Sequence, residues 1–469
     1  MNKLYVAIIF LFSLTAMSQE KPNIVLIFID DMGWSDFSCF GNKDAKTTHI
    51  DSMASEGICF EQFYVNSPIC SPSRVAVSTG QYPQRWNITS YLAQRAKNKQ
   101  RGIANWLDPK APMLARTLKE NGYMTGHFGK WHMGGQRDVG EAPLITEYGF
   151  DESLTNFEGL GPRLLPLVRT PMKPEFRKIW EGSEKLGRGK VTWMDRAKIT
   201  GGFIKAADKF IDKAVEAKKP FYINIWPDDV HSPFYPTLEG WKKGGDKRNL
   251  YLSVLKEMDQ QLGALFKKIK ADEKLKNNTL ILMCSDNGHE PGAGQSVPLK
   301  GCKTNLFEGG IRSSLVVWGP GMVPKDKWGS RNKTSLFSAI DLAPSLLKLS
   351  DIEIKADYDG EILTETLLGK SDKSREKAIL YRRPPDRKYF YGSTNPDLAI
   401  RKGPWKLFSD LDGSNIKLYN IPNDHGETNN LAEKHPELVN ELSKELFDWN
   451  KSMPKDNSEA HVRKKKKKK

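Results

Sequence analysis

The sequence predicts an α/β fold: a doubly wound sheet flanked by helices, followed by a smaller α+β subdomain at the C-terminal end. Three observations lead there. Short apolar runs rich in β-branched residues recur along the chain, and segments of helical periodicity separate them, the alternation expected of strand–helix–strand units. A length of 469 residues is too great for one small core and suits a large domain plus a lesser one.

The elements follow in order. The chain opens with MNKLYVAIIFLFSLTAMSQE. Lys3 supplies a charge, Leu4 to Ala16 form an apolar stretch too short to span a membrane comfortably, and Ala16-Met17-Ser18 is a small-x-small site. Residues 1–18 therefore read as a signal peptide cut after Ser18, which makes the mature protein secreted or periplasmic, with no stable membrane insertion. The runs Asn23–Ile29, Phe221–Trp226, Thr279–Cys284 and Ser314–Trp318 read as buried parallel strands, because they are apolar on both faces. Met113–Glu120, Ile199–Ala217 and Leu250–Lys270 carry helical spacing. Leu160–Lys198, rich in Pro, Gly, Arg and Lys, reads as an insertion over one face of a catalytic domain spanning residues 19–370. In a C-terminal subdomain of residues 371–453, short strand-like pieces (Lys377–Tyr381, Leu398–Arg401, Trp405–Phe408, Lys417–Tyr419) precede a helix at Pro436–Trp449. Residues 454–469 close in a run of lysines and read as a disordered basic tail.

Of the net charge of +15, Arg463 and Lys464 to Lys469 contribute seven. The positive balance that remains suits an anionic substrate. No basic–aromatic module points to nucleic acid, which an exported protein would not meet. The five cysteines (39, 59, 70, 284 and 302) are an odd number for an exported chain, so at least one is unbridged or chemically special.

Polar residues collect where the strands end, the place where open α/β sheets bind ligands. Asp30-Asp31 follows the first strand, Ser285-Asp286-Asn287-Gly288 the third, and a loop ending in Asp228-Asp229-Val230-His231 the second. Met124 to His132 delivers Lys130 and His132. Asp30, Asp31, Asp286 and Asn287 offer only oxygen, a set for a hard cation, with Ca²⁺ preferred over Mg²⁺ for its tolerance of irregular geometry. No Cys/His cluster has zinc spacing.

The stretch PICSPSRVAVSTGQYPQR, Pro68 to Arg85, holds a cysteine among hydroxyls and an arginine. Pro72 fits the first turn of a helix, and Ser71 or Ser73 can cap it. Residue 70 then sits by the positive helix end with Arg74 one turn inside, so an anion there is expected to be stabilised. The local pattern leaves a buried structural cysteine and a thiolate nucleophile both open, although hard carboxylate ligands suit sulfur poorly.

Cys70-Ser-Pro-Ser-Arg74, followed by Ser78-Thr79-Gly80, resembles the signature of type I sulfatases. Further resemblances run in order along nearly the whole mature chain: Pro22-Asn-Ile-Val to Asp30-Asp31-Met-Gly, Gly126-His-Phe-Gly-Lys-Trp-His132, His231-Ser-Pro233, Ser285-Asp-Asn-Gly288, Leu299-Lys-Gly-Cys-Lys303 with Glu308-Gly-Gly-Ile-Arg312, and Ala399 to Leu407. The resemblance implies the alkaline-phosphatase-like form of the fold, a doubly wound mixed sheet. It implies that Cys70 is oxidised to Cα-formylglycine by a formylglycine-generating or anaerobic sulfatase-maturating enzyme. The aldehyde would hydrate to a diol, one hydroxyl would attack sulfur, and the second would expel sulfate as the aldehyde reforms. Asp30, Asp31, Asp286 and Asn287 would hold calcium together with an oxygen of residue 70. Lys130 and Lys303 would clamp the sulfate, Arg74 would hold the ionised hydroxyl, His231 would protonate the leaving oxygen, and His132 would assist elimination, with Lys303 the other candidate for the proton.

The expected reaction is hydrolysis of sulfate monoesters on a sulfated carbohydrate, such as polysaccharide or glycosaminoglycan fragments. A phosphonate monoester or phosphodiester hydrolase is the alternative enzyme, and a catalytically inactive carbohydrate-binding relative the alternative of another class. His127 and the Glu308–Arg312 pair read as structural and Cys302 as packing, while Cys39 and Cys59 could form a disulfide. Asp228 and Asp229 depart from the family pattern. They are expected to point away from the site or to meet a cation, since inward they would raise His231. Arg95, Arg137, Arg163, Arg382 and Arg383 are candidates to meet further anionic groups of the substrate.

Overall fold

Every residue of Asn23–Ile29 is buried. Ile24, Leu26 and Phe28 enter one hydrophobic core, and Val25, Ile27 and Ile29 enter another. A strand with no polar face belongs in the middle of a sheet covered on both sides. The computed structural model places it there and describes residues 20–135, 137–156, 159–180, 182–242, 245–390 and 393–458. The expected leader and its cleavage point, and the lysine run, lie outside the described residues.

The main sheet is built from β1 (Asn23–Ile29), β2 (Ile58–Tyr64), β3 (Met124–Gly129), β4 (Glu152–Thr155), β5 (Arg163–Thr170), β6 (Lys173–Lys178), β7 (Val191–Asp195), β8 (Phe221–Trp226), β9 (Thr279–Ser285), β10 (Arg312–Trp318), β11 (Ser330–Asn332) and β12 (Phe337–Ser338). Its order is β11-β2-β10-β9-β1-β8-β3-β4-β5-β6, with β12 beside β2 and β7 beside β5. β9, β1, β8, β3 and β4 run parallel. The Ser314–Trp318 run forms a buried strand as expected, but not a parallel one: β10 is antiparallel to both β9 and β2, so the sheet is mixed. Apolar composition records that a strand is covered on both faces and is blind to its direction.

The long helices obey their periodicity. In Ile199–Glu216, the residues Phe203, Ile204, Ala207, Phe210, Ile211 and Ala214 form the stripe that covers the Val25 face. Lys247–Ala271 joins it, and begins where the Asp246 carboxylate accepts the amide of Asn249 at 3.0 Å. No helix among the described residues is long and apolar enough to cross a membrane.

The Leu160–Lys198 insertion does not lie over a face. Its strands β5, β6 and β7 prolong the sheet edge beyond β4, with Leu164, Leu165 and Val168 of β5 buried and Leu164 joining the core under the Val25 face. Residues 454–458, expected in the tail, belong to the folded body: Pro454 O accepts from Arg382 at 2.7 Å, and Asp456 accepts from Thr89 at 2.5 Å. Cys39 and Cys59 are free thiols in the structure, so the bridge that they could form is not present.

The C-terminal part is an antiparallel sheet of Ile379–Arg382, Leu398–Lys402, Trp405–Ser409 and Lys417–Asn420, covered by the helix Pro436–Ser452. Its core takes in Ala76 and Tyr82 on one side, and Tyr64, Leu306 and Ile311 on the other. Between the two parts lies Lys406, fully buried, with Nζ 2.9 Å from Glu308 and 2.8 Å from Glu427. Burial would raise the Glu308 carboxyl, but Lys406, Arg312 and Arg401 pull it down to about 2. Arg312, the partner expected for Glu308, stands further off at 3.5 Å. Lys406→Met removes the cation that two buried carboxylates share. Loss of one partner of a buried pair costs about 3–5 kcal/mol, so the urea midpoint followed by circular dichroism should fall correspondingly. An unchanged midpoint would show that the other cations suffice.

Candidate active site

Four neighbouring parallel strands, in the spatial order β9-β1-β8-β3, present their carboxyl ends along one edge. β1 lies between β8 and β9, both later in the chain, which makes its end a switch point where ligands collect in such sheets. Asp30 and Asp31 follow β1, Asp286 and Asn287 follow β9, Lys130 and His132 follow β3, and His231 closes a short loop after β8. Cys70 and Lys303 arrive from elsewhere: Cys70 begins the helix Cys70–Thr79, and Lys303 lies on the connection from β9 to β10. The structure thus brings together every residue that the sequence put forward for the metal, the nucleophile and the proton transfers.

The backbone is bent to do this. Asp31, His132 and Thr304 have φ values of +58°, +55° and +74°. Non-glycine residues held in this left-handed region cost on the order of 1–3 kcal/mol each and persist only where neighbours hold them. Asp31 donates its amide to Asp286 Oδ1 at 3.1 Å, and Thr304 donates its amide to Pro68 O at 2.7 Å. The Ser285-Asp-Asn-Gly motif ends in glycine because a Cβ at Gly288 would stand 1.9 Å from Gly309 O.

Three buried carboxylates crowd the strand ends, and each meets a cation. Lys130 Nζ is 2.6 Å from Asp30, Arg74 Nη2 is 2.6 Å from Asp286 and 3.3 Å from Asp30, and Lys303 Nζ bonds Asp31. Asn287 Nδ2 donates to Asp31 at 2.8 Å. Burial would raise Asp30, but Lys130, His231, Arg74 and Lys303 together hold it well below the ordinary carboxylate range. Asp286 goes the other way, pushed up to about 8 by burial and by the Asp30 charge, with Arg74 opposing. Burial lowers the Lys303 ammonium, yet Asp31, Cys70 and Asp30 raise it well above the usual value.

Cys70 Sγ lies 3.2 Å from Asp30 Oδ1 and 3.8 Å from Asp31 Oδ1. Burial and the Asp30 charge push its thiol well above the ordinary range. The expectation that a helix end and Arg74 would stabilise an anion here does not hold for the thiol, because Arg74 is already engaged by Asp286 and Asp30. The expected serine caps also fail. Ile69 occupies the cap position without a side-chain bond, and Ser71 turns inward to accept the amide of Leu92 at 2.9 Å.

His231 Nε2 is 3.4 Å from Lys303 Nζ and 3.5 Å from Asp31 Oδ2, and the imidazole is part-exposed. Burial, Lys303 and Lys130 lower it below the ordinary value, against Asp31 and Asp30. His132 Nε2 faces Leu92 O at 3.1 Å. A carbonyl can only accept, so Nε2 carries the proton and Nδ1 is left as the basic atom. His127 packs between Trp131, Phe150 and Trp226, and burial lowers it to about 3. Asp228 pairs with Arg196 at 2.5 Å, and Asp229 accepts from Thr200 at 2.5 Å.

Cys70, Lys130, His132, His231 and Lys303 line a cavity of about 370 Å³. Of the five arginines put forward for further anions, Arg137 alone lines it. Arg95 pairs with Glu141 at the surface, and Arg163 is buried and donates to the carbonyls of Ser183 and Gly187. Arg382 and Arg383 are held by Asn450 and Asp397. The sequence reading missed Tyr91, Trp180, Arg387 and Phe390, which also line the cavity. They sit in no shared motif, and only the fold gathers them. The atoms of Asp30, Asp31, Cys70 and His231 that could bind a metal lie within 4.8 Å of one another. Asn287 Oδ1 is buried with no hydrogen-bond partner among the described residues. The two carboxylates and the Asn287 amide oxygen suit a hard cation, whereas the Cys70 sulfur and the His231 nitrogen are softer donors.

Residues 22–352 match the family model Sulfatase, and residues 302–452 match the model N-sulphoglucosamine sulphohydrolase, C-terminal. The chain is 29% identical over 505 residues to the N-acetylgalactosamine-6-O-sulfatase of Bacteroides thetaiotaomicron, a match that covers 92% of this chain and 93% of that protein. It is 30% identical over 367 residues to the N-acetylgalactosamine-6-sulfatase of Canis lupus familiaris, covering 76% of this chain and 67% of the relative. The crystal structure of Ps i-CgsB in complex with k-i-k-neocarrahexaose aligns with a TM-score of 0.75 at 27% identity, over 92% of this chain and 93% of that one. The fold, and a family match that spans most of the chain, make it a member of the type I sulfatase family of the alkaline-phosphatase-like superfamily and a sulfuric ester hydrolase.

Proposed function

We propose that the protein is an exported sulfatase that removes sulfate from a sulfated carbohydrate, with formylglycine at position 70 and calcium held by Asp30, Asp31, Asp286 and Asn287. One observation carries the reading. The Cys70 thiol on the cavity wall is pinned beside the Asp30 and Asp31 carboxylates, where burial and the Asp30 charge disfavour its thiolate. Such a cysteine is a poor catalyst as it stands and a sensible precursor for an oxygen nucleophile. The relatives named above support a carbohydrate ester as substrate.

Formylglycine, once hydrated, supplies a hydroxyl to attack sulfur and a second hydroxyl that lets sulfate leave. Calcium supplies charge neutralisation at the sulfate oxygens and favours the ionised nucleophile. The side chains do the rest. Lys130 and Lys303 are the cationic donors on the cavity wall nearest the strand-end carboxylates, placed to grip the oxygens of the scissile sulfate. His231, beside Lys303 at the cavity mouth, is placed to give a proton to the departing alcohol oxygen, which leaves poorly as an alkoxide. Its lowered pKa reflects burial first and then two neighbouring ammonium groups, and an anionic ester seated between these would offset the part they contribute. His132, with Nδ1 basic, is the group to take a proton when sulfate is expelled.

Three outcomes follow. In a host with a maturation enzyme, the peptide bearing residue 70 should be lighter than its sequence predicts and should react with a hydrazine probe. Activity should track that modified fraction. Fully active protein with only cysteine at position 70 would refute the mechanism. Asp286→Asn should lose bound calcium, read by metal analysis after dialysis, and turnover should drop about a hundredfold or more, the scale for one charge-stabilising group. Retention of one equivalent of calcium by the variant would remove Asp286 from the set. His231→Gln should slow an alkyl or sugar sulfate by about 10²–10⁴-fold and 4-nitrophenyl sulfate much less, since nitrophenolate leaves without help. Equal losses on both would move the proton transfer to Lys303.

A further inference from the structure

Arg387 belongs to none of the charge pairs at the strand ends, yet it lines the same cavity. Its guanidinium lies over two aromatic rings, 5.3 Å from the centre of Tyr91 and 4.3 Å from that of Phe390. Nη1 donates to the Asp386 carboxylate at 2.8 Å, and Nε is buried with no hydrogen-bond partner among the described residues. Asp386 does not need Arg387 for neutrality. Arg101 already bonds it twice, at 3.0 and 2.8 Å, and Lys97 stands at 3.9 Å. One carboxylate therefore faces three cations. The Tyr91 phenol registers the imbalance: burial would raise it, and Arg101 and Arg387 bring it below its ordinary value. At the strand ends, by contrast, Lys130, Arg74 and Lys303 are matched by Asp30, Asp286 and Asp31.

We propose that Arg387 is a specificity residue that binds a second acidic group of the sugar, a carboxylate or another sulfate, while the scissile sulfate sits against Lys130 and Lys303. Arg137, on the same cavity wall, is placed to assist. A guanidinium packed against two rings and tied to a carboxylate has little orientational freedom to lose, and it offers donors in the fork that planar and tetrahedral oxyanions accept. Trp180, delivered by the insertion, and Tyr91 add ring faces that a sugar can cover. A cavity of about 370 Å³ is at the small end of the range for ligand sites, about 300–1,000 Å³, so both anions fall on one or two sugar units. The inference rests on the sulfatase reading and specifies its substrate as a carbohydrate with two or more negative charges.

The test measures sulfate release by the matured protein on two pairs of disaccharides. One pair carries the scissile sulfate with a neighbouring uronate, either intact or reduced to the alcohol. The other pair is disulfated and monosulfated. The protein should prefer the more anionic member of at least one pair about tenfold or more in kcat/KM, the size of one charge-assisted contact. The pair that shows the preference tells carboxylate from sulfate. Arg387→Gln should cut that preference to about threefold or less, mainly through KM, and Arg387→Lys should restore part of it. High salt should erode the preference in the wild type and not in Arg387→Gln. Absence of a preference in the wild type, or its survival in Arg387→Gln, overturns the second anion site and leaves the sulfatase reading standing, because sulfate is still released. Release of no sulfate from any of the four sugars, or from 4-nitrophenyl sulfate, sinks both.

Discussion

Burying three carboxylates at one sheet edge is the constraint that organises this protein. Each would cost several kcal/mol if left uncompensated, and none can be compensated from its own strand. The cations come from three different places: Lys130 from the end of β3, Arg74 from the helix that begins at Cys70, and Lys303 from the connection between β9 and β10. Satisfying the carboxylates therefore fixes how these elements sit on one another. The compensation is incomplete. Burial and the Asp30 charge still drive Asp286 upward, and Asn287 Oδ1 still lacks a hydrogen-bond donor among the described residues. Although three cationic side chains match the three carboxylates, a carboxylate that stays raised beside its arginine and an amide oxygen with no donor are features that suit a further cation.

The C-terminal part enters through the same logic. Glu308 follows closely after Lys303, and its carboxylate is held by Lys406 from the small sheet and by the Tyr64 hydroxyl at 2.6 Å. Ala76, on the helix that Cys70 begins, packs in the core of that sheet and the Pro436–Ser452 helix. The helix that carries residue 70 and the connection that carries Lys303 are thus braced from outside the main sheet. The subdomain also supplies Arg387 and Phe390 to the cavity wall. It is part of the site as well as a cover for the sheet.

Much of this was legible in the sequence, and the limits have physical causes. Runs apolar on both faces gave the positions of β1, β8, β9 and β10 closely, because double-sided burial leaves its mark on every residue. The direction of β10 left no mark, since a strand buried on both faces looks the same either way. The positions of Asp30, Asp31, Asp286 and Asn287 at one sheet edge were legible because each pair directly follows a strand marked by burial on both faces. The caps at Ser71 and Ser73 were misread because the same hydroxyl can cap a helix or serve the amide of Leu92, and only the fold decides. Arg163 and Arg383 were read as candidates for anion binding, yet they close on distant carbonyls and on Asp397. Arg387, Trp180 and Tyr91 come from three separate segments and share no motif, so no local pattern could have joined them.

Buried ion pairs by themselves did not distinguish function from architecture. Lys406 with Glu308 and Glu427, and Arg375 with Asp341, are as deeply buried as Lys130 with Asp30. Burial acts as strongly on Asp341, raised to about 6, as on many groups at a reaction centre. What separates the two sets is the space beside them. Arg375 and Lys406 face packed protein, where a charge can only hold its partner. Lys130 and Lys303 face a cavity as well as a carboxylate, so each can hold a second anion without moving its first. Arg387 meets the same criterion, with a shared carboxylate behind it and the cavity before it. A charge becomes a functional group here when its partner is fixed on one side and a ligand can reach it on the other.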